Sequence, residues 1–386
     1  MIYKSFQDKQ LSWLGLGAMR LPSLEGGAID EPKATEIINY AYEQGINYFD
    51  TGYFYLGGKC EGFVGKALSA FPKDKYYLAA KMPGNLVRQV DGQWEVGGFN
   101  LVTKPISGPA DIFEGQLKTC GVDSFDFYML HNLSETTYGI YTNESLNIVE
   151  YLKQEKKAGR IRHLGLSAHA RPETIEKFLD LHDNCFEFAM IQINYMDWTL
   201  QDAGRKYDLL TQRGIPVMAM EPLRGGNLTN LNPDAAAILK SASPVAWAMG
   251  FLQSLPNMPV IISGMSTMAQ LKENLALFEK DTGPMPEKDK ALLAQAIEKM
   301  AEATPCTGCR YCIEACPKGL DIPKLLTMYN EASYEAHWTL RMLLRAMKDE
   351  EKPGACTGCG ACNPLCPQNI DIPAALEKFG GILAQM

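Results

Sequence analysis

Short apolar runs alternate with stretches of helical periodicity through residues 14–278 of this chain. The runs at 14–19, 46–49, 76–80, 125–130, 161–166, 188–193, 217–220 and 260–263 are too short for helices and are bounded by turn residues, so they read as buried strands. Pro32 opens the first helical segment, Ile37, Ile38, Ala41 and Tyr42 recur on one face, and Gly45 ends it. Further helices are read at 61–70, 109–120, 146–158, 171–181, 203–213, 244–254 and 267–278. Such regular alternation calls for a parallel sheet, and eight strand-helix units close as a barrel.

Two connections interrupt the rhythm. Residues 82–108 form a loop far longer than the usual few residues, leaving the face where strands end; it is either a lid or a surface loop without a role in turnover. Residues 132–143 make a shorter loop on the same face. After Glu279 the alternation stops, and 286–303 reads as one amphipathic connecting helix. Then CTGCRYCIEACPKGLDIPKLL, from Cys306, recurs from Cys356 as CTGCGACNPLCPQNIDIPAAL, every cysteine shifted by 50 residues. The stretch 325–347 between the copies is helical in pattern, with a bend expected near Asn330. The expected fold class is therefore α/β: a (β/α)8 TIM barrel over 1–285, a connecting helix at 286–304, and an α-helical and loop domain of two related halves at 305–386.

Composition narrows the partners. Of 386 residues, 46% are hydrophobic and 21% charged, as in an ordinary globular enzyme. A net charge of -8 argues against nucleic acid and anionic membrane, whose phosphates would repel this surface. The most apolar long window, 244–265, is interrupted by Gln253, Pro256, Asn257 and Pro259, and the N-terminal MIYKSFQDKQ carries no cleavage signal, so a cytoplasmic location is expected.

Eight of the eleven cysteines fall in the two repeats. Cys60, Cys120 and Cys185 remain and read as small buried hydrophobes. Each repeat has the spacing Cys-x-x-Cys-x-x-Cys-x-x-x-Cys-Pro, the run that holds 4Fe-4S clusters in bacterial ferredoxins, where one short loop points three thiolates at a single cube. In two-cluster domains the fourth cysteine crosses over. The expected ligands are Cys306, Cys309, Cys312 and Cys366 for one cluster, and Cys356, Cys359, Cys362 and Cys316 for the other. Zinc is the alternative, but four-cysteine zinc loops seldom repeat this spacing with its proline.

The barrel's chemistry gathers at strand ends. The stretch 49–61, FDTGYFYLGGKCE, places Asp50 at the end of one strand and Tyr55 five residues on, while Lys81 and His131 end two further runs. Reduction of a carbonyl needs a hydride on carbon and a proton on oxygen. Tyr55 is the candidate acid, and with an ordinary pKa of about 10 it needs a nearby cation. Lys81 can supply that charge, Asp50 can hold the lysine ionised, and His131 can hydrogen-bond and polarise the carbonyl oxygen.

This constellation resembles the aldo-keto reductase family. The family's Asp-Thr-Ala-x-x-Tyr-Gly reads here from Asp50 to Leu56, with Gly52 for Ala and Gly57 one residue late. Its strand-end lysine matches Lys81, and its Asp-x-x-x-x-His matches Asp126 to His131. GRIRHLGLSAH, QINY, GIPVMAMEPLRGGNL and SGMSTMAQLKEN resemble its later segments in order, over roughly residues 10–280. The resemblance also implies that residues 1–13 form a hairpin closing the barrel floor.

A nicotinamide nucleotide, NADP or NAD, is the hydride source this resemblance implies. Leu223, Gly225 and Leu228 would line the pyrophosphate, Gly264, Ser266, Gln270 and Asn274 would continue around the adenosine, and Ser167 and Gln192 match contacts to the carboxamide. Ala168 and Met220 depart from the family's usual Asn and aromatic residue, and the segment after Gly264 lacks an arginine for a 2′-phosphate. His169 faces the same mouth, either as a contact to substrate or cofactor or as the cap of the helix at Arg171. The expected function is an oxidoreductase acting on a small-molecule carbonyl, with a redox protein as a further partner. Because a hydride carries two electrons and each cluster one, a flavin-coupled enzyme holding FMN is the alternative, and a redox-sensing scaffold without turnover is a reading of another class.

Overall fold

Eight parallel strands close into a barrel in chain order: β3 (Leu14–Gly17), β4 (Tyr48–Asp50), β5 (Tyr77–Met82), β9 (Phe125–Leu133), β10 (Ile161–Ala168), β11 (Phe188–Gln192), β12 (Val217–Met220) and β13 (Val260–Ser263), the last pairing with the first. The structure, a computed structural model, describes residues 1–98, 101–281, 283–300, 304–306, 308–335 and 338–386. The first barrel helix, Glu31–Glu43, starts as its sequence dictates: the Asp30 side chain accepts from the Lys33 N–H, and Pro32 occupies a position that needs no donor.

Before the barrel, β1 (Tyr3–Phe6) and β2 (Lys9–Ser12) pair as the expected hairpin. Phe6 and Leu11 join Tyr48, Phe127, Phe188, Met218 and Val260 in the barrel interior. Phe6 meets Phe127 at 5.4 Å and His163 at 5.1 Å between ring centroids, near the strands' N-terminal ends. The interior is a solid plug, so the chemistry belongs to the other mouth. Asp126, the first residue of the Asp-x-x-x-x-His match, serves this lower end. It is fully buried, accepting from Lys73 at 2.6 Å, Arg162 at 2.7 Å and the Leu78 N–H at 2.9 Å, which ties β9 to its flanks.

The segment read as a long loop after Lys81 is instead a three-stranded antiparallel sheet of β6 (Val87–Val90), β7 (Gln93–Gly98) and β8 (Leu101–Ile106). Asp91 and Gly92, at φ 47° and 81°, make the two-residue turn that joins the first pair. Likewise 132–143 is only partly loop: β9 runs on to Leu133, and a short helix covers Tyr138–Tyr141.

The chain divides into two compact units. The first takes residues 1–194, 203–229 and 245–285; the second takes 195–202, 230–244 and 286–386. The second unit thus recruits two pieces from the stretch the sequence reading gave to the barrel. Within it, Gln201 donates to Glu331 at 2.9 Å and Thr339 at 2.7 Å, and Asn232 donates to the Lys299 carbonyl at 2.8 Å. The connecting helix spans Glu287–Met300, and the rest of the 286–303 reading, 301–303, lies outside the described residues.

Helices Ile322–Tyr334 and Ile372–Leu383 each follow a cysteine run and are capped by the matching aspartates, Asp321 and Asp371. Leu325, Leu326, Met328, Leu376 and Phe379 form the core between them. The 50-residue repeat extends to backbone conformation: Gly308 and Gly358, Arg310 and Gly360, Gly319 and Asn369 all take positive φ. The bend expected near Asn330 is not there. The helix runs through Asn330, whose side chain accepts from the Thr304 N–H at 2.7 Å, and ends at Glu335 in extended conformation. Among the described residues no helix is long and apolar enough to cross a membrane.

Candidate functional site

At the barrel's C-terminal mouth the four strand-end residues come together in the first unit. β4 ends on Asp50 and β5 carries Lys81, adjacent parallel strands that bring the two side chains face to face. Lys81 Nζ donates to Asp50 Oδ1 at 2.5 Å and to the Thr51 carbonyl at 2.5 Å. Both side chains are nearly inaccessible, at 1% and 6% exposure, so the pair meets little solvent screening. Burial works against the Lys81 charge, but Asp50 and Tyr55 outweigh it and raise its pKa, so the ammonium persists. Burial also raises Asp50, against the pull of Lys81.

Tyr55 is half-buried, and the Lys81 ammonium lies 4.8 Å from its ring centroid. Burial pushes the phenol up to about 12, with Lys81 acting to lower it and Asp50 to raise it. The lysine's influence has the expected sign, but enclosure dominates, and the phenol holds its proton at neutral pH. His131 is buried; enclosure, with the charges of Lys81 and His169, drives its pKa well below the usual range, so the ring is a neutral imidazole. Its Nδ1 has no hydrogen-bond partner among the described residues. Phe54 stacks on it at 5.1 Å with planes 13° apart, and Tyr55 meets it edge-on at 5.7 Å.

Several supporting residues escaped the sequence reading. Glu61 is buried and accepts from Gln116 Nε2 at 2.6 Å; the same nitrogen lies 3.0 Å from the Lys81 carbonyl, and Gln116 Oε1 accepts from Tyr128 at 2.6 Å. Burial pushes the Glu61 carboxyl up to about 7, against the lowering effects of Gln116 and Lys81. An acid on a helix face otherwise made of Cys60, Phe63, Val64 and Leu68 was the available signal. Tyr141 is the second omission: its hydroxyl accepts from the Gly84 N–H at 3.0 Å and sits 2.6 Å from the His131 carbonyl, pinning that strand end.

The two departures in the motif have local causes. A methyl on Gly52 would stand 2.8 Å from Tyr55 Cζ, so the phenol occupies the space where the family carries alanine. Leu56 takes φ 50°, a conformation that favours glycine, and Gly57 and Gly58 continue at 66° and 77°. A methyl on Gly58 would meet Leu101 Cδ2 at 2.7 Å, which brings the antiparallel sheet against the loop that carries Tyr55.

The proposed nucleotide residues lie on neighbouring strand ends and loops. Ser167 Oγ is 3.9 Å from Met220 Sδ, and Gln192 pairs in register with Met220. Leu223 anchors the following loop by accepting from Gly226 and Leu228 N–H; Gly225 is exposed at φ 67°, and Leu228 is fully buried. Gln270 Oε1 accepts from the Ser266 and Thr267 N–H groups, and Asn274 donates to the Gln270 carbonyl, so these two already serve the start of helix Met268–Leu277. A methyl at exposed Gly264 would stand 2.7 Å from Arg20 Cγ. Exposed Gly225 leaves its main chain open to the approach of a phosphate, as a nucleotide would need. His169 is buried just before helix Pro172–Leu181, at whose start Glu135 accepts from the Arg171 N–H at 2.9 Å and from Thr174 Oγ1 at 3.0 Å.

In the second unit, Cys316, Cys356, Cys359 and Cys362 line one cavity, and Cys306, Cys309, Cys312 and Cys366 line another. Each cavity takes its fourth thiol from the other run. Four thiols lining each cavity match the four-cysteine ligand set of a four-iron cube.

Residues 13–297 match the model of the aldo/keto reductase family, and residues 305–370 match that of the 4Fe-4S dicluster domain. The chain is 26% identical over 224 residues to the Glycine max protein named "Probable aldo-keto reductase 1", covering 57% of this chain and 58% of that one. It is 29% identical over 231 residues to the NADH-specific methylglyoxal reductase of Escherichia coli (strain K12), covering 58% and 67%. Among solved structures, the holo form of an aldo-keto reductase from Bacillus halodurans shares the fold, with a TM-score of 0.60 at 24% identity over 77% of this chain and 96% of that one.

Proposed function

Because the chain belongs to the aldo/keto reductase family and carries a 4Fe-4S dicluster domain, we propose that it reduces a small-molecule carbonyl, or oxidises the corresponding alcohol, with a nicotinamide nucleotide at the barrel mouth. Its eight clustered cysteines would hold two 4Fe-4S clusters for electron transfer. The observation that carries the reading is the buried Lys81–Asp50 pair set beneath the phenol of Tyr55, with neutral His131 beside it. The nucleotide, when bound, supplies the hydride.

Tyr55 gives its hydroxyl proton to the carbonyl oxygen as the C=O π bond opens. The phenolate left behind is stabilised by the Lys81 ammonium and recovers its proton from water. Asp50 keeps that ammonium in place. His131 donates an N–H hydrogen bond to the same oxygen, polarising it without adding a second charge. Ser167 and Gln192 orient the nicotinamide carboxamide. Leu223, Gly225 and Leu228, then Gly264, Ser266, Gln270 and Asn274, form the loops along the rest of the nucleotide. The antiparallel sheet resting on Gly58 shapes the substrate pocket. Thiols kept free for ligation suit a reducing compartment.

Tyr55→Phe tests the assignment: turnover falls roughly a hundred- to ten-thousand-fold while nucleotide affinity holds. Unchanged turnover on a carbonyl the wild type reduces would sink it. The dicluster domain favours a second reading, in which the mouth holds flavin, because one-electron carriers couple to hydride chemistry through such a converter. Extraction of the cofactor after anaerobic purification separates the two.

A further inference from the structure

We infer that Arg20, from the loop after the first barrel strand, is a phosphate-binding residue of the nucleotide site, a contact no family motif in this chain assigns. The inference rests on the nucleotide reading above. Arg20 ends the short turn Ala18–Arg20 that follows β3 and is exposed. Its carbonyl accepts from Ser266 Oγ at 2.7 Å, which fastens the first loop to the last. Its stem occupies the room left by Gly264, where a Cβ would lie 2.7 Å from Arg20 Cγ and 2.9 Å from Cβ. The guanidinium then reaches across the mouth, with Nη2 3.6 Å from where a Cβ of Gly225 would be.

Arg20 thus spans the two loops that follow β12 and β13, the place where barrels of this kind bind phosphate. Among the described residues its guanidinium forms neither an ion pair nor a hydrogen bond. A planar cation with five free donors matches a phosphate in bidentate fashion. The arginine absent from the segment after Gly264 is thereby replaced, from the opposite end of the barrel sequence. The ligand group is a nucleotide phosphate, either the pyrophosphate common to NADH and NADPH or the 2′-phosphate of NADPH alone.

The test is calorimetric titration of the full-length holoprotein, wild type and Arg20→Gln, with NADH, NADPH and FMN. Loss of a charged bidentate contact weakens binding roughly ten- to hundred-fold. Equal weakening for both dinucleotides assigns the pyrophosphate; weakening confined to NADPH assigns the 2′-phosphate; weakening of FMN alone assigns the phosphate of a flavin. Gly264→Ala, whose methyl would displace the arginine stem, weakens the same ligand. If Arg20→Gln binds every ligand as the wild type does, the inference is wrong, even if Gly264→Ala binds poorly. If the wild type binds none of the three, the nucleotide reading itself fails and Arg20 loses its role with it.

Discussion

The phenol ring of Tyr55 packs against the main chain of Gly52 so closely that a methyl there would stand 2.8 Å from Cζ and 2.9 Å from both Cε atoms. Gly52→Ala must therefore move the ring or the loop. Displacing a reacting group by about 1 Å can cost on the order of a hundred-fold in rate. We expect turnover to fall by about that factor with nucleotide affinity unchanged. Wild-type rates in this variant would mean that the proton comes from another group.

Lys81 and Asp50 are buried together, so removing one partner strands the other. Asp50→Asn is expected to destabilise the barrel by about 3–5 kcal/mol, whereas the double variant Asp50→Leu with Lys81→Met, which removes both charges, regains most of that loss. Urea midpoints at neutral pH read the difference. Equal losses in the single and double variants would show that packing, not charge, sets the cost.

Glu187 gathers four groups at the barrel's lower end, where Gln7, Lys156, His163 and the Leu164 N–H converge on its carboxylate. Burial alone would raise its pKa, but these hydrogen bonds outweigh it and hold the carboxyl down at about 2. A depressed pKa contributes stability above the unfolded value of about 4.3, lost as pH falls toward 2. Glu187→Gln should thus cost on the order of 2 kcal/mol near pH 7, discounted for partial exposure, and almost nothing near pH 2. A melting-temperature gap independent of pH would contradict this.

Glu61 has the opposite slope. Its folded pKa of about 7 lies above the unfolded value, so ionisation penalises the fold, with no cost below about pH 4 and a growing cost up to pH 7. Glu61→Gln keeps an oxygen for Gln116 and removes the charge. Relative to the wild type, its melting temperature should rise between pH 5 and pH 7.5, by an amount equivalent to about 2 kcal/mol. A gap that narrows over that range would reverse the assignment.

Cys316 lines the cavity of Cys356, Cys359 and Cys362, although it belongs to the earlier run. Cys316→Ser should therefore damage the cluster held by the later cysteines, and Cys366→Ser the other. Anaerobic iron counts and electron paramagnetic resonance of the reduced proteins distinguish the two. Selective loss of the cluster in the mutated cysteine's own run would refute the crossed arrangement.

The barrel was legible because buried parallel strands are nearly continuous apolar runs, and all eight fall where such runs lie. The cysteine runs were legible because ligand spacing is local. The sheet after Lys81 was not, since strands such as Val87–Val90 and Gln93–Gly98 are mostly polar and lie partly exposed, lacking a buried face to mark them. Its one strong local sign is the turn pair Asp91-Gly92 between two extended segments. Asn330 looked like a helix breaker, yet its bonds to Thr304, 26 residues away, hold it in the helix. The Glu61–Gln116 contact and the position of Arg20 join residues 55 and 246 apart, or more, so only the folded chain reveals them.

The exchange of fourth cysteines also sets a timetable for biosynthesis. A ribosome makes Cys306, Cys309 and Cys312 early, but the cavity they line is not closed until Cys366 has been added. The other cavity, which takes Cys316 from the early run, is complete at Cys362, almost at the same moment, so both wait on the later run. The nascent chain must therefore carry its first thiols without their fourth partner while some fifty more residues are translated, so a scaffold delivering iron and sulfide would find neither cavity complete until the second run has been made.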